Sequence, residues 1–336
     1  MTVLHGAHTG KGGPGCYLLA IFPFALAGCA GPQSALDPGG EESRQIAALF
    51  WVMASAGALI WLGIVGLLIY ALWPERRVHR DRTVGHLIFW GGAIFPSVAL
   101  LLLLAYALWL MPGLRPFAQA EATVLRIEVT GKQFWWRVVY RPPGGSPVID
   151  ANEIRLPVGE RVELTLKSED VIHSFWIPGL GGKMDMIPGR TNRLSLVAER
   201  PGTFRGACAE YCGTSHALMA IAAVAVEKDA FEAWLAARAQ PSAGTAAPGA
   251  GLFRHHGCGA CHRVAGTQAQ GRVGPDLSHV GSRITLGAGI LPNTEAAMVR
   301  FITRPQEVKP GQHMPAFDMI AADDVRAIAA YLRALR

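Results

Sequence analysis

The sequence predicts a multidomain membrane protein with three parts: a two-helix transmembrane hairpin, an all-β sandwich and an all-α C-terminal domain. Two segments without a charged residue, 46–73 and 87–111, are each longer than the roughly 20 residues that a membrane-spanning helix needs. Short alternating runs between Gly and Pro turns follow over 115–236, a spacing that is typical of an antiparallel sandwich. Residues 250–336 change to helical periodicity.

Residues 1–28 are expected to be a signal peptide. The apolar run 17–28 is too short to span a bilayer and has the character of a signal-peptide core. It ends in L-A-G-C, which resembles the lipobox of bacterial lipoproteins and predicts lipidation of Cys29. The alternative is a plain signal peptide that is cut nearby. Residues 29–45 would then form an N-terminal periplasmic segment.

Residues 46–111 are predicted to cross the membrane twice. The loop 74–82 between the two apolar segments holds four Arg against one Glu and one Asp, and this bias places it in the cytoplasm. Both termini should therefore face the periplasmic side of a bacterial inner membrane. A hairpin that serves only as an anchor in the lipid bilayer fits the sequence equally well. Tryptophans lie near the predicted ends, as interfacial aromatic residues do: Trp51, Trp73, Trp90 and Trp109.

A short run, C-A-E-Y-C-G-T-S-H-A-L-M, supplies the soft ligands Cys208, Cys212, His216 and Met219. Thiolate, imidazole and thioether groups together suit copper. A zinc site would usually show a second Cys/His pair at comparable spacing. A further imidazole, His173, lies in D-V-I-H-S-F-W-I-P, where a strand is expected to run into a loop. The alternative is a disulfide between the two cysteines, with the His and the Met as ordinary loop and core residues.

A second pattern, C-x-x-C-H, is the attachment pattern of c-type haem. The thiols of Cys258 and Cys261 would form thioethers to the porphyrin, and the adjacent His262 would bind the iron. The chain has six cysteines. With two assigned to copper and two to haem, Cys16 and Cys29 remain at the N-terminus, and no further pair is left for a structural disulfide.

The order of motifs in residues 250–336 resembles small class I cytochromes c. G-P-D-L at 274–277 and H-M-P-A-F at 313–317 follow the haem motif, before a closing amphipathic helix. This resemblance implies Met314 as the second axial ligand, and it implies that the Pro275 carbonyl accepts a hydrogen bond from the proximal His ring. The other histidines that could compete for the iron are expected to be exposed and solvated: His255, His256 and His313.

The segment 239–249 is rich in Pro, Ala, Gly and Ser, and it is predicted to be a flexible linker between the two redox domains. A short helix over 228–238 precedes it. Over residues 250–336, ten Lys and Arg oppose six Asp and Glu, an excess that would steer the domain toward an acidic donor or only solvate its surface. No basic stripe with interleaved aromatic residues is present, so nucleic acid is not an expected partner.

The segment 124–235 resembles subunit II of haem–copper cytochrome c oxidases. The similarity lies in four blocks: G-K-Q-F-W-W (131–136), S-E-D-V-I-H-S-F-W-I-P (168–178), K-M-D-M-I-P-G-R (183–190) and R-P-G-T-F-R-G-A-C-A-E-Y-C-G (200–213). It implies a cupredoxin-like fold and a binuclear copper centre, CuA. It also implies that the Glu210 carbonyl is a copper ligand and that its side chain touches Mg or Mn at the interface with subunit I. The implied side-chain ligands are His173, Cys208, Cys212, His216 and Met219.

The whole order, from lipobox to haem motif, resembles the fused subunit II of caa-type cytochrome c oxidases. The resemblance implies that electrons from cytochrome c or another membrane donor pass through covalent haem c and CuA to subunit I. There, haem a and CuB reduce oxygen while protons are pumped, and subunit III is a further partner. The oxygen-reducing site is not expected in this chain. The alternatives are a subunit of a CuA-containing nitric oxide reductase and a membrane-tethered copper carrier.

Two positions depart from the family pattern. Many subunits II offer a Trp as the first electron acceptor where this chain has Phe134, followed by Trp135 and Trp136, so all three are candidates for accepting electrons. Many members also have a Glu near the start of the second helix that supplies a proton channel. Here the stretch 83–92 has no acidic residue, and His86 is its titratable candidate. A structural histidine at the membrane interface is the alternative.

Overall fold

The computed structural model describes residues 30–73, 81–111 and 125–336. Two long apolar helices, a two-sheet sandwich and a helical domain follow one another along these residues, as the sequence predicts. The predicted signal peptide, Cys16, the lipobox with Cys29 and most of the predicted cytoplasmic loop lie outside them.

Two helices are long and apolar enough to cross a membrane. The first, α1, spans Glu41–Leu72. The second spans Asp81–Leu110 and consists of α2 (Asp81–Leu87), a π-helical segment (Ile88–Ile94) and α3 (Phe95–Leu110). Most of their large apolar side chains are exposed in this chain. Lipid is the surrounding that suits such surfaces, so the length and composition of these helices fit a membrane anchor.

The helix α1 begins earlier than its apolar segment predicts, because charged residues in its first turn bind the sandwich. The Arg161 guanidinium donates to Glu41 at 2.6 Å and to Glu42 at 2.7 Å. Gly40, just before the helix, forms an isolated β-bridge with Ala198 of the sandwich. The predicted periplasmic segment before the hairpin is therefore packed on the sandwich rather than separate from it.

The strands of the sandwich, in chain order, are Leu125–Lys132 (β1), Trp135–Arg141 (β2), Val148–Ala151 (β3), Glu153–Pro157 (β4), Arg161–Ser168 (β5), His173–Trp176 (β6), Met184–Met186 (β7), Asn192–Val197 (β8), Gly202–Cys208 (β9) and Ala220–Val226 (β10). One sheet has the order β3-β2-β1-β5-β8 and the other β4-β10-β9-β6-β7. The prediction of a purely antiparallel sandwich is wrong for two pairs, β1–β5 and β4–β10, which are parallel. In both pairs, several other strands lie between the two partners along the chain. The chain comes back so that the two partner strands run in the same direction.

The core of the sandwich lies between the two sheets and follows the alternation of the strands. In β5, Val162, Leu164 and Leu166 are buried while their neighbours are only half-buried. Burial of each such aliphatic side chain is worth about 1.5–3 kcal/mol. Trp136 is fully buried and packs edge-to-face on Phe175, with 5.8 Å between the ring centroids. This packing fixes β6, which begins with a predicted copper ligand.

The C-terminal helical domain follows α4 (Lys228–Arg238), whose bounds agree with the sequence prediction. The last helix of the C-terminal domain packs on the first helix of that domain, where the ring centroids of Phe253 and Tyr331 lie 5.6 Å apart. The helices and the small hairpin of the domain are Gly249–His255 (α5), Cys258–Cys261 (α6), Thr285–Leu286 (β11), Leu291–Pro292 (β12), Glu295–Thr303 (α7), Pro305–Val308 (α8) and Ala322–Ala334 (α9).

The predicted linker, 239–249, is not extended and free. Ala243–Ala246 forms a 3-10 helix, and the buried Ser242 hydroxyl accepts a hydrogen bond from the Gly244 N–H. The His279 ring contacts the Gln240 carbonyl at 3.1 Å. The composition of this segment predicts flexibility, but its small residues allow it to pack closely on the helical domain instead.

Candidate metal centres and their junction

The cysteine-rich loop lies between two adjacent antiparallel strands. β9 ends at Cys208 and β10 starts at Ala220, and the Cys208 N–H donates to the Met219 carbonyl at 2.9 Å, which closes the loop. His173 is the first residue of β6, which pairs with β9. Strand pairing therefore brings a histidine from far along the chain to the loop. His173 begins a strand, whereas the sequence predicts that it lies where a strand runs into a loop.

The predicted copper ligands lie together in this structure. The Cys208 Sγ lies 3.7 Å from His173 Nδ1 and 3.2 Å from the Glu210 carbonyl oxygen. The Cys212 Sγ lies 3.7 Å from Nδ1 of His216 and 3.9 Å from Sδ of Met219. Each cysteine thus has its own imidazole and its own weaker ligand. Two thiolates that can bridge two metal ions, each beside an imidazole and a weaker ligand, match the donor set expected for a binuclear copper site.

Cys208 and Cys212 are free thiols, so the structure does not contain the alternative disulfide between them. Among the described residues, Cys208, Cys212 and His173 form the group of His, Cys and acidic side chains that is close enough to hold a metal, with ligand atoms within 4.8 Å of one another. The Glu210 side chain has no place in that group. The expectation that it touches Mg or Mn at a subunit interface stays a prediction.

Hydrogen bonds set the protonation of the metal-free site. The hydrogen bond from Cys212 lowers the pKa of Cys208 to about 3, with help from His173 and despite burial. The same bond raises the pKa of Cys212, so the pair holds one proton between its sulfurs. Burial lowers the pKa of His173, but hydrogen bonds with Asp170 and Cys208 outweigh it and raise that pKa to about 9.

The sequence analysis missed Asp170, which orients a copper ligand. Its carboxylate lies 2.7 Å from Nε2 of His173 and also accepts a 2.7 Å hydrogen bond from the Gln133 N–H. The Gln133 side chain in turn donates to the Cys212 carbonyl at 2.6 Å. A carboxylate that holds the outer nitrogen of a ligating imidazole fixes its tautomer and raises its basicity. The stretch D-V-I-H contains this signal, since the acid comes three residues before the histidine.

The predicted haem motif forms a short helix, α6, that ends at the proximal histidine. Gly257 precedes it with φ +73°, a left-handed conformation that favours glycine. The ring of His262 donates through Nδ1 to the Pro275 carbonyl at 2.8 Å, as the resemblance implies. A Cβ at Gly274 would overlap this ring. Burial lowers the pKa of His262, so the ring is neutral and its Nε2 is available as an iron ligand.

A cavity of about 420 Å³ opens beside this histidine. The residues expected to hold the haem, Cys258, Cys261, His262, Pro275 and Met314, all line it. The backbone of the methionine is held by the Gln312 side chain through bonds of 2.9 and 3.0 Å. Apolar walls, two free thiols and a histidine and a methionine on one cavity fit a covalent c-type haem.

Of the three competing histidines, only His313 lines this cavity among the described residues. His313 is exposed at the cavity lining, and His255 is exposed on α5. His256 packs on His255 and lies 3.4 Å from Asp324 at the start of α9. The structure thus agrees with the expectation for His255 and His313, while His256 is half-buried beside an acid.

The haem domain is docked on the sandwich beside the copper loop, which the sequence analysis did not foresee. The Arg283 guanidinium pairs with Asp150 at 2.8 Å, and both side chains are almost fully buried. The Ser215 hydroxyl of the copper loop donates to the Pro310 carbonyl at 2.6 Å. Glu153 accepts a hydrogen bond from the Ile284 N–H. These contacts hold the two domains in one fixed arrangement.

The aromatic candidates separate into two groups. Phe134, which is buried, and Trp135, which is half-buried, belong to the sandwich, yet both line the haem cavity. A Cβ at Gly213 of the copper loop would lie 3.2 Å from the Phe134 ring. Trp136 has no exposed surface and faces the core, where its ring lies 6.1 Å from that of His173. Trp136 is thus more deeply placed than the other two, and the choice among the three aromatic residues stays a prediction.

The second helix adds little to the question of proton uptake. His86 is exposed in α2, near the start of the second apolar helix. The structure does not describe residues 74–80, which come shortly before it in the chain. A role for it stays a prediction.

Comparison with known proteins gives similar relatives for both redox domains. Residues 146–226 match the family "Cytochrome C oxidase subunit II, periplasmic domain", and residues 246–336 match the family "Cytochrome c". A cytochrome c oxidase subunit 2 from Alkalihalophilus pseudofirmus is 33% identical over 95% of this chain and 96% of its own length. One from Bacillus subtilis is 27% identical over the same shares. The periplasmic domain of cytochrome oxidase subunit II from Bradyrhizobium japonicum is 33% identical, covering 36% of this chain and 96% of its own, with a TM-score of 0.33.

Proposed function

The chain belongs to the cytochrome c oxidase subunit II family and is part of an oxidoreductase complex, and from this premise we propose that it is the electron-input subunit. In this proposal, electrons from a cytochrome c or another membrane donor enter at covalent haem c, pass to CuA, and leave for subunit I, which contains haem a and CuB. The redox domains lie on the periplasmic side of a bacterial inner membrane. Oxygen reduction and proton pumping occur in the partner subunits, with subunit III among them.

The copper site is assigned to His173, Cys208, Cys212, His216 and Met219 through side chains, with the Glu210 carbonyl as sixth donor. The ligand distances and free thiols described above support it. When bound there, two copper ions held by two thiolates share one electron, which keeps reorganisation small. The chain contributes a closed loop whose sulfur donors are buried and already in place, so few groups need to move when the charge changes.

Cys258 and Cys261 would hold a haem through thioethers, and His262 and Met314 would bind its iron. A bound haem c supplies a one-electron carrier whose potential a His/Met pair raises, because a thioether favours ferrous iron. The Pro275 carbonyl fixes the tautomer of the proximal ring. Met314 is positioned through its backbone by Gln312, so the loop that carries it is pre-ordered for ligation.

The observation that carries the proposed order is the docked junction. Phe134 and Trp135 of the sandwich and the haem ligands of the other domain line one cavity. The cavity therefore reaches Phe134, whose ring lies against Gly213 of the copper loop, and the covalent connection makes transfer between the two sites intramolecular. A free cytochrome should then act on the haem domain instead of replacing it. The docked domain would also be without purpose in a copper carrier.

Replacement of Cys212 by Ser tests this order. Purified wild-type protein should contain two coppers per covalent haem, with one electron shared between the two metals. In Cys212→Ser the copper signal should be lost and the haem should still be reduced by the donor, while oxygen consumption by the assembled complex falls to near zero. Tyr211→Phe, which keeps the ring of an exposed neighbour in the same loop, is the matched control.

Two results would contradict the proposal. A copper:haem ratio near one in the wild type would rule out the binuclear centre. Oxygen consumption that survives in Cys212→Ser at full subunit occupancy would show that electrons bypass the copper.

A further inference from the structure

Lys309 is a buried lysine in the haem domain that has no carboxylate partner among the described residues. The residue is only 3% exposed. Its Nζ donates one hydrogen bond, to the Gly287 carbonyl at 2.7 Å. No carboxylate among the described residues forms an ion pair with it. Burial lowers the pKa of Lys309 to about 7. An ammonium group removed from water is costly unless a negative group compensates it, so this position calls for an anion.

Lys309 can be compared with the other Lys and Arg side chains that line the same cavity. Three Lys and Arg side chains line it, and the other two already have carboxylate partners. Lys132 pairs with Glu169 at 2.8 Å, and Arg283 pairs with Asp150 at 2.8 Å. Of these cations in the described cavity wall, Lys309 is the one without a carboxylate partner, and the charge of Cys212 only partly offsets the effect of burial on its pKa.

A haem brings two propionate carboxylates to whatever cavity holds it. An ammonium group binds a carboxylate as a point charge through a charge-assisted hydrogen bond, which is roughly twice as strong as a neutral one. From this match we propose that Lys309 binds a propionate of the covalent haem and thereby holds the haem at the junction with the copper loop. The inference rests on the proposed function, since it requires haem c in this cavity.

The position of Lys309 in the chain connects the haem to the copper domain. The next residue, Pro310, accepts the hydrogen bond from Ser215, which precedes the copper ligand His216. The following residue, Gly311, approaches the same loop, since a Cβ there would lie 3.3 Å from Thr214. A propionate bound to Lys309 is thus tied, through three consecutive residues, to the loop that carries the copper ligands. The contact positions the haem for electron transfer as well as retaining it.

The test uses the full chain with haem attached and reads the cofactor directly. Lys309→Met removes the charge while keeping an unbranched apolar side chain of similar length. The expected results are a shift of the propionate bending modes in the resonance Raman spectrum and a fall in the haem midpoint potential, because a nearby positive charge that favours ferrous iron is lost. Lys309→Arg keeps the charge and should restore both toward the wild type. Lys228→Met is the matched control, because that lysine is exposed and pairs with Glu160 on the sandwich.

The outcomes separate this inference from the proposed function. Wild-type propionate modes and potential in Lys309→Met, with haem attached, overturn the inference and leave the proposed function intact. A wild-type chain that carries no covalent haem overturns both. If the Met variant does not take up haem, Lys309→Gln is measured in its place, and a wild-type potential in that variant has the same meaning. Failure of the Met, Gln and Arg variants alike to attach haem would show a general structural role and also overturn the inference.

Discussion

The ion pair between Arg283 and Asp150 should determine how fast electrons cross from haem to copper. Arg283→Met removes the guanidinium from a pair 2.8 Å apart whose side chains are 5% and 6% exposed. Asp150 would then still accept a hydrogen bond from the Ala151 N–H at 2.8 Å. The carboxylate could recover its hydration only if the haem domain moved away. The substitution therefore favours separation of the two domains.

The size of the effect follows from the burial of the pair. Removal of one partner from a buried ion pair costs about 3–5 kcal/mol, because the other charge is left uncompensated. Since about 1.4 kcal/mol is a factor of ten in an equilibrium constant, the docked state should lose at least ~100-fold in its equilibrium with the separated state. The hydrogen bond from Ser215 to Pro310 and the one to Glu153 remain, but each is worth only about 0.5–3 kcal/mol.

The assay is the rate of haem-to-copper electron transfer after rapid photoreduction of the haem, in the assembled complex with both cofactors loaded. The expected result is a slower transfer in Arg283→Met. The double variant Asp150→Asn, Arg283→Met should recover much of the loss, because no charge is left buried. Arg272→Met, on an exposed arginine of the same domain, is the control for net charge. An unchanged transfer rate in Arg283→Met would refute the reasoning, and an equal loss in Arg272→Met would assign the effect to net charge alone.

Two further predictions concern the metal ligands. Met314→Leu should keep the haem attached but should lose the methionine–iron absorption band and have a lower midpoint potential. The control, Met319→Leu, replaces a methionine that is 76% exposed and should change neither property. An unchanged absorption band in Met314→Leu would exclude Met314 as a ligand. Copper binding to the metal-free protein should strengthen as the pH rises from 6.5 to about 9, because below the raised pKa of His173 a proton must leave the imidazole before copper can bind. A competition titration against a chelator measures this, and a flat profile over that range would contradict it.

The local parts of the sites could be predicted from the sequence because their ligands are close together in the chain. Cys208, Cys212 and Met219 lie on one loop, and Cys258 and His262 on one turn, so spacing alone limits which atoms can meet. The helices over 228–238 and near the C-terminus could be predicted for the same reason, since apolar periodicity is a property of neighbouring residues.

The junction could not be predicted in this way. Arg283 and Asp150 are 133 residues apart, and a single charged residue on each of two domain surfaces leaves no periodic signal. The same holds for Lys309, which looks like a solvated loop lysine in the sequence but is buried in the structure. Composition also misleads over 239–249, because small residues that suit a flexible linker suit close packing equally well.

The attachment of α1 to the sandwich has a consequence for how the molecule is assembled. Glu42 and Arg161, which bind each other, are 119 residues apart, and the membrane hairpin lies between them. The ribosome delivers the first partner before either helix has entered the bilayer and the second only after both have been made. The contact can therefore form only when both partners are on the same side of the bilayer. A chain in which only one of the two helices crossed the membrane would leave the two halves of this contact on opposite sides, so insertion of both helices is a condition for seating α1 on the sandwich.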